Sequence, residues 1–368
     1  MKNEDNKVLL VSIDYPPIGG GQGIYCYELL KRLSNASLLT TKAKRTKSDN
    51  IYELWLPSLN PVLFCVFSYF YYLFFLKKHK YSIIHGNSIN HMLFLVFKNS
   101  KIKYITTIHN TYKQRLKAKR SNRFLRLVYP IFIKLEKFVL KRSDAIICVS
   151  ETTKNSVESI TNNKNIFSIE NGVDTEKYKP IKKHNDEIFR FLYVGRLEHR
   201  KRVLETIKIY QSLIKSDNFH YKTKLIIVGI GPNYKEIQNY IRSENLQNHV
   251  KLMGYKNNIG EYYKQSDCLL LLSHGEGLPL VLLEAISSGL SVIVTEDASG
   301  ESNIIQNTKS GFIVNDKIDQ REVKKRMIEV IKERPSIEDF NEFSSNHGWY
   351  GVVNKHKQIY NLAEINDL

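Results

Sequence analysis

Residues 268–294 read CLLLLSHGEGLPLVLLEAISSGLSVIV. Cys268–Leu272 is an apolar run too short for a helix, so it reads as a strand buried on both faces. Ser273–Pro279 is a loop carrying Gly and Pro. Leu280, Leu283 and Ser287 then recur at helical spacing, and a second apolar run, Ser291–Val294, follows Gly289. Strand, loop, helix, strand is a βαβ unit, which requires a parallel sheet. Outward from it, Phe189–Val194, Lys224–Val228 and Val250–Met253 precede in the same style and Phe312–Val314 follows. An earlier set, Val8–Ile13, Ser82–His85, Tyr104–Ile108, Ala145–Val149 and Ile166–Ile169, has the same character. The polar, Pro-containing stretch Lys179–Glu187 separates the two sets. The expected fold class is α/β, with two doubly wound parallel-sheet domains over 1–180 and 181–345.

A chain of 368 residues, 42% hydrophobic and 25% charged, fits two ordinary globular domains. Cys26, Cys65, Cys148 and Cys268 lie far apart with no C-x-x-C pair, which argues against a disulfide framework or zinc site and suits a reducing cytoplasm. Met1–Lys7 has neither the apolar core nor the cleavage site of a signal peptide. The formal charge of +18 favours an anionic partner, namely nucleic acid, acidic lipid or a phosphorylated substrate, against plain drift of a Lys-, Asn- and Ile-rich sequence. Its distribution weighs against drift: Lys101–Arg142 holds thirteen Lys or Arg and one acid, Glu136.

Leu54–Leu76 contains no charged residue and runs into Lys77, Lys78 and Lys80. Its length permits a membrane span, which needs about 20 apolar residues. Such a span would put Val8–Ile13 across the bilayer from the strands it pairs with, and Pro57, Asn60, Pro61 and Ser68 interrupt the stretch. A buried helix with one interfacial face is the expected form, with a fully buried helix as the alternative.

Three motifs carry chemistry. Pro16–Gly23 is a Gly-rich turn between strand and helix, where backbone N–H groups and the helix dipole favour an anion; a plain tight turn is the competing reading. It lacks the G-x-G-x-x-G register of a dinucleotide fold. In Tyr193–Leu197, Arg196 stands at a strand end, and Lys201 is expected on the first turn of the next helix, so two cations suit a diphosphate. The run Arg200-Lys201-Arg202 reads equally as solvated. Glu276 lies in the loop of the opening stretch and Glu284 eight residues on, inside an apolar helix, where a carboxylate needs partners such as ribose hydroxyls. Gly277 and Pro279 fit a turn that opens a helix.

Gly20-Gly21, His109, Asn171–Asp174, Gly195-Arg196-Leu197, Lys201, Gly229–Pro232 and Glu276-x₇-Glu284, in this order and spacing, resemble the family 4 retaining glycosyltransferases of GT-B fold. The resemblance runs almost from end to end. It implies two facing Rossmann-like domains with an interdomain cleft, and a C-terminal helix, 346–368, that returns to the first domain. It further implies that Gly20 and Gly21 approach the donor phosphate and that Arg196 and Lys201 hold the diphosphate. Gly229, Gly277, Leu278, Pro279 and Leu280 line the donor, and Glu284 takes its ribose. Glu276 and His109 stand beside the transferred sugar; from the residues alone, His109 also reads as a satisfied histidine at a strand end.

The sequence departs from the family at Gly277-Leu278-Pro279, where Gly-Phe-Gly is usual, and at Asn303, where a Glu is common. Pro279 removes one N–H that would otherwise meet the donor. There is no D-x-D sequence, so no metal is expected, and the leaving diphosphate falls to Arg196, Lys201 and helix N-termini. Retention implies front-face attack through an oxocarbenium-like state, with the departing phosphate taking the acceptor proton. The expected partners are a UDP- or GDP-linked sugar, a glycan or polyprenyl-diphosphate-linked acceptor of bacterial surface polysaccharide (O-antigen or capsule) and an anionic membrane surface, with the protein cytoplasmic and peripheral on the plasma membrane's inner face. No cofactor and no nucleic acid are expected. Rival classes are an epimerase or phosphorylase on the same fold, which lack the E-x₇-E pair or need a much longer chain, and a basic nucleic-acid-binding protein, for which no module is visible.

Overall fold

The computed structural model describes residues 6–15, 20–41, 49–56, 61–113, 123–180, 187–299, 304–305, 311–333, 340, 343 and 347–362. Contacts divide it into two compact units, Met1–Asn171 with Trp349–Leu368, and Gly172–Gly348.

The first unit is built on a seven-stranded sheet in the order β3-β2-β1-β4-β5-β6-β7, paired parallel throughout. The strands are β1 (Val8–Val11), β2 (Ala36–Thr41), β3 (Ile51–Leu54), β4 (Ile83–Asn87), β5 (Lys103–Ile108), β6 (Ala145–Cys148) and β7 (Ile166–Ser168). Their helices are α1 (Gly21–Arg32), α2 (Pro61–Tyr71), α3 (Met92–Val96), α4 (Arg123–Arg142) and α5 (Glu151–Glu158). Five strands stand where the apolar runs place them. β2 and β3 escaped that reading because they occupy one end of the sheet, where the edge strand β3 is only partly buried and breaks its apolar run at Glu53.

Leu54–Leu76 becomes the end of β3, then α2, then a π-helical turn, Tyr72–Leu76. Pro57 and Asn60 lie outside the described residues. Phe64, Cys65, Ser68, Tyr72 and Leu76 are buried on one side, whereas Phe67, Phe70 and Phe74 are exposed on the other. Among the described residues no helix is long and apolar enough to cross a membrane.

The second unit carries a six-stranded parallel sheet in the order β10-β9-β8-β11-β12-β13. These strands are β8 (Phe189–Val194), β9 (Thr223–Val228), β10 (Val250–Gly254), β11 (Cys268–Leu271), β12 (Ser291–Thr295) and β13 (Gly311–Val314), each within a residue of its expected bounds. The helices are α6 (Val203–Ile214), α7 (Tyr234–Ser243), α8 (Gly260–Lys264), α9 (Leu280–Ser287), α10 (Glu296–Ser299) and α11 (Gln320–Lys332). Residues 172–180, expected to close the first domain, group with this unit. Tyr178 sets its ring edge-on to Tyr263 at 5.6 Å, and Ser287 donates its hydroxyl to the Tyr178 carbonyl. The final helix, α12 (Trp349–Leu362), groups with the first unit. Trp349, Val352, Val353, His356, Ile359 and Tyr360 are buried at helical spacing, so one face of α12 is core.

Both sheets are wound outward in two directions from a central pair, β1 and β4 in one and β8 and β11 in the other. In such sheets ligands meet the carboxyl ends of the strands at this switch point. That rule directs attention to the segments after β1, β4 and β5, and after β8 and β11.

Candidate active site

In the second unit, the segment after β8 packs directly on the segment after β9. Gly195 donates its amide to the Val228 carbonyl and Leu197 to that of Ile230. Gly229 has φ +146°, and a Cβ there would lie 1.8 Å from the Gly195 carbonyl oxygen. Glycine is therefore required at Gly229 by loop-on-loop packing, before any donor is considered.

Beyond Gly195 the structure departs from the expected helix start. Lys201 closes a 3₁₀ turn, His199–Lys201, Arg202 takes a left-handed φ of 51°, and α6 begins only at Val203. Tightening the chain this way turns Lys201 inward, where it is 9% exposed and its ammonium contacts the Glu276 carboxylate. Arg200, the first of the three residues in the run that reads equally as solvated, is turned inward too. Its Nη1 donates to Glu276 Oε1 at 2.7 Å and its Nε to Glu198 Oε1 at 2.7 Å. Burial works against the Arg200 charge, but Glu276 and Glu198 outweigh it and its pKa is raised. Arg196 remains exposed, 4.0 Å from Glu198 Oε2. Two cations thus share one oxygen of Glu276, while Arg196, the other expected diphosphate ligand, stands apart.

Glu276 is fixed from behind as well, since its amide donates to the Asp297 carbonyl at 3.1 Å. Gly277, Leu278 and Leu280 are buried, and Pro279 is the residue before α9. The proline lacks an N–H, yet the amides that open the helix belong to Leu280 and Val281, so the positive end of the helix is kept. Glu284, 8% exposed within α9, accepts the Tyr263 hydroxyl at 2.9 Å. Burial, reinforced by the Glu284 charge, raises the Tyr263 pKa, which keeps that hydroxyl a donor. The helix ends in a Schellman motif: Gly289 (φ 82°) donates to Ile286 and Leu290 to Ala285. This fixes where α9 ends.

Among the described residues one cluster has metal-ligand chemistry, His274, Asp297 and Asp316, with donor atoms within 4.8 Å of one another. Each member has a structural duty: His274 Nδ1 lies 3.3 Å from Asp297 Oδ2, and Asp316 accepts the Asp297 amide at the start of α10. Asn303 lies outside the described residues.

In the first unit, Gly20 precedes α1 and Gly21 opens it, both exposed, and a Cβ at Gly20 would meet nothing within 4 Å. The start of this helix therefore borders open space. His109 follows β5, with Nε2 2.6 Å from Asn87 Oδ1 at the end of β4. Asn87 Nδ2 donates to the Gln22 carbonyl at 3.3 Å and to Ser12 Oγ at 3.1 Å, which fixes the amide orientation and makes His109 Nε2 the donor to Oδ1. The ring also meets Tyr25 edge-on at 5.0 Å. Asn87, Ser12 and Tyr25, which join three strands and a helix around His109, were not anticipated from sequence.

Behind this group lies a chain of hydrogen bonds whose direction is set at one end. His356 Nδ1 lies 2.8 Å from the Val352 carbonyl, so it carries the proton. Burial depresses its pKa to about 4, so the ring is neutral and Nε2 accepts the Tyr25 hydroxyl at 2.6 Å. Thr107 must then donate to Tyr25 (3.0 Å), His85 Nε2 to Thr107 (2.7 Å), and Tyr360 to His85 Nδ1 (2.8 Å). Burial, reinforced by neighbouring histidines, holds the His85 pKa well below its usual range. This chain ties α12 to α1, β4 and β5.

Residues 19–177 match the model for Glycosyltransferase Family 4, and residues 174–347 match that for Glycosyl transferases group 1. The chain belongs to the family 4 glycosyltransferases. It is 30% identical over 255 residues to an Escherichia coli UDP-Gal:alpha-D-GlcNAc-diphosphoundecaprenol alpha-1,3-galactosyltransferase, a match covering 65% of this chain and 64% of that one. It is 27% identical to an uncharacterized glycosyltransferase of Methanocaldococcus jannaschii, over 98% of this chain and 99% of the relative. Among solved structures, sucrose-phosphate synthase from Thermosynechococcus elongatus superposes with a TM-score of 0.79 at 18% identity, over 97% of this chain and 98% of that one. At that identity the likeness speaks for the two-domain fold of this glycosyltransferase family.

Proposed function

We propose that this family member is a retaining, metal-independent hexosyltransferase. It takes a sugar from a UDP- or GDP-linked donor and passes it to a glycan or polyprenyl-diphosphate-linked acceptor in bacterial surface polysaccharide assembly, with its first unit lying on the anionic inner face of the plasma membrane. The carrying observation is the pairing of Lys201 and Arg200 on one oxygen of Glu276 at the mouth of α9. A diphosphate has more negative charge than one carboxylate, so it draws Lys201 toward itself and toward Arg196 while Arg200 keeps Glu276 oriented at the sugar. Cations that exchange one anion for another supply the charge stabilisation that a metal ion supplies elsewhere. Glu284, already a charged acceptor buried on Tyr263, suits ribose hydroxyls. The E. coli relative, by its name, uses UDP-galactose and a diphosphoundecaprenol-linked acceptor, which supports this donor and acceptor class.

A thermal-shift and transfer screen against UDP-, GDP- and ADP-sugars, with and without EDTA, tests the reading. One base should stabilise selectively, by about 2.7 kcal/mol at 100 times its Kd, and EDTA should leave transfer intact. Stabilisation by none of the donors, or transfer abolished by EDTA and restored by a metal ion, would falsify it.

A further inference from the structure

Residues 54–143 hold 17 of the 55 Lys and Arg but one of the 37 acids, Glu136, so they account for +16 of the formal +18. The remaining 38 cations and 36 acids nearly cancel. Compositional drift would spread over the chain, whereas this charge is confined to about a quarter of it. Glu136 is buried and accepts the Tyr112 amide with both carboxylate oxygens, so no carboxylate of the stretch reaches the surface.

The same stretch carries α2 and its π-helical turn, sixteen residues without a charge. Helices apolar on every side belong either in a protein core or in lipid. One side of this element is core. On the other, Val62, Phe67, Phe70, Phe74 and Phe75 are between 49% and 76% exposed. Phe97, after α3, stacks on Tyr69 of α2 at 5.1 Å and extends the patch. Contiguous aromatic exposure of this kind on a soluble domain marks an interaction surface. Lys77, Lys78 and Lys80 follow at the end of the element, all exposed.

We propose that this face inserts into the interfacial layer of an anionic bilayer, with Phe67, Phe70 and Phe74 entering the acyl boundary and Lys77, Lys78 and Lys80 meeting headgroup phosphates. Charge complementarity selects this occupant. A second copy of the chain would bring two stretches of +16 together, whereas anionic headgroups neutralise them. The inference rests on the membrane placement proposed above and claims more: adhesion by charge would satisfy that placement, but insertion requires the phenylalanines.

The test uses the full chain with no donor or acceptor, floated with phosphatidylcholine vesicles with or without phosphatidylglycerol. Depth is read by brominated-lipid quenching of Phe74→Trp in a Trp55→Phe background. Insertion predicts flotation with phosphatidylglycerol vesicles that survives high salt, and quenching at position 74. The triple variant Phe67→Ser, Phe70→Ser, Phe74→Ser should bind on the order of 10²-fold more weakly, from the apolar area it withholds. The triple variant Lys77→Gln, Lys78→Gln, Lys80→Gln should lose a similar factor on anionic vesicles alone. The substituted side chains are exposed, so an unchanged melting temperature verifies the fold of each variant. Flotation that salt reverses, with position 74 unquenched, overturns insertion and leaves the membrane placement standing. Absence of any vesicle binding overturns both. A dimer in solution that the phenylalanine variant dissociates overturns the inference by giving the face to a second copy.

Discussion

Lowering the pH from 7 to 5 should destabilise the first unit far more than an ordinary loss of surface ion pairs would. His91 and His356 are buried, and burial depresses each pKa to about 4. His91 has Thr106 Oγ1 at 3.1 Å, while His356 lies between Tyr25 and the Val352 carbonyl. An unfolded histidine titrates near 6.5. Because the folded pKa is the lower one, the stabilisation is complete above about 6.5 and disappears as the pH falls toward 4. At pH 5 the unfolded rings are almost fully protonated and the folded ones mostly neutral, which costs about 2 kcal/mol per residue and about 4 kcal/mol for the pair. His85 acts in the same direction, since burial and its histidine neighbours hold its pKa down. Urea unfolding of wild type and His356→Gln at pH 7 and pH 5 reads the effect. The variant is less stable at pH 7, but its drop between the two pH values should be smaller by about 2 kcal/mol. An equal drop in both proteins, or a wild-type drop below about 1 kcal/mol, would refute the neutral, directional hydrogen-bond chain.

Two further predictions concern the second unit. Arg196→Ala and Lys201→Ala should each cut turnover by on the order of 10²-fold with the fold intact; near-normal transfer by either folded variant counts against the diphosphate role. Glu284→Gln should weaken nucleotide binding, since a neutral amide is the poorer acceptor, and Glu276→Gln should impair transfer more than binding. Unchanged nucleotide affinity in Glu284→Gln, measured by calorimetry, would mean that α9 presents a different face to the donor.

Local pattern alone was enough for much of this molecule. Buried parallel strands are continuous apolar runs, so all six strands of the second sheet were legible within a residue. Gly277 and Pro279 marked the turn that opens α9, and the spacing of Leu280, Leu283 and Ser287 placed Glu276 in the loop and Glu284 inside the helix. The edge strand β3 was not legible, because a half-buried edge has no continuous run to find. Nor could composition separate Arg200 from the solvated run it belongs to. Its inward turn depends on the left-handed Arg202, which ends the 3₁₀ turn, and on Glu276, 76 positions away. Sequence spacing likewise showed that Glu284 needed a partner, while only the fold supplied Tyr263 from another helix. The tie between α12 and α1 joins Tyr25 to His356 across 331 positions. Periodicity reports which side of an element is buried, because burial repeats along the chain with the period of the helix or strand. Which polar group meets which inside is decided by the order of strands in the sheet, and no local period carries that information.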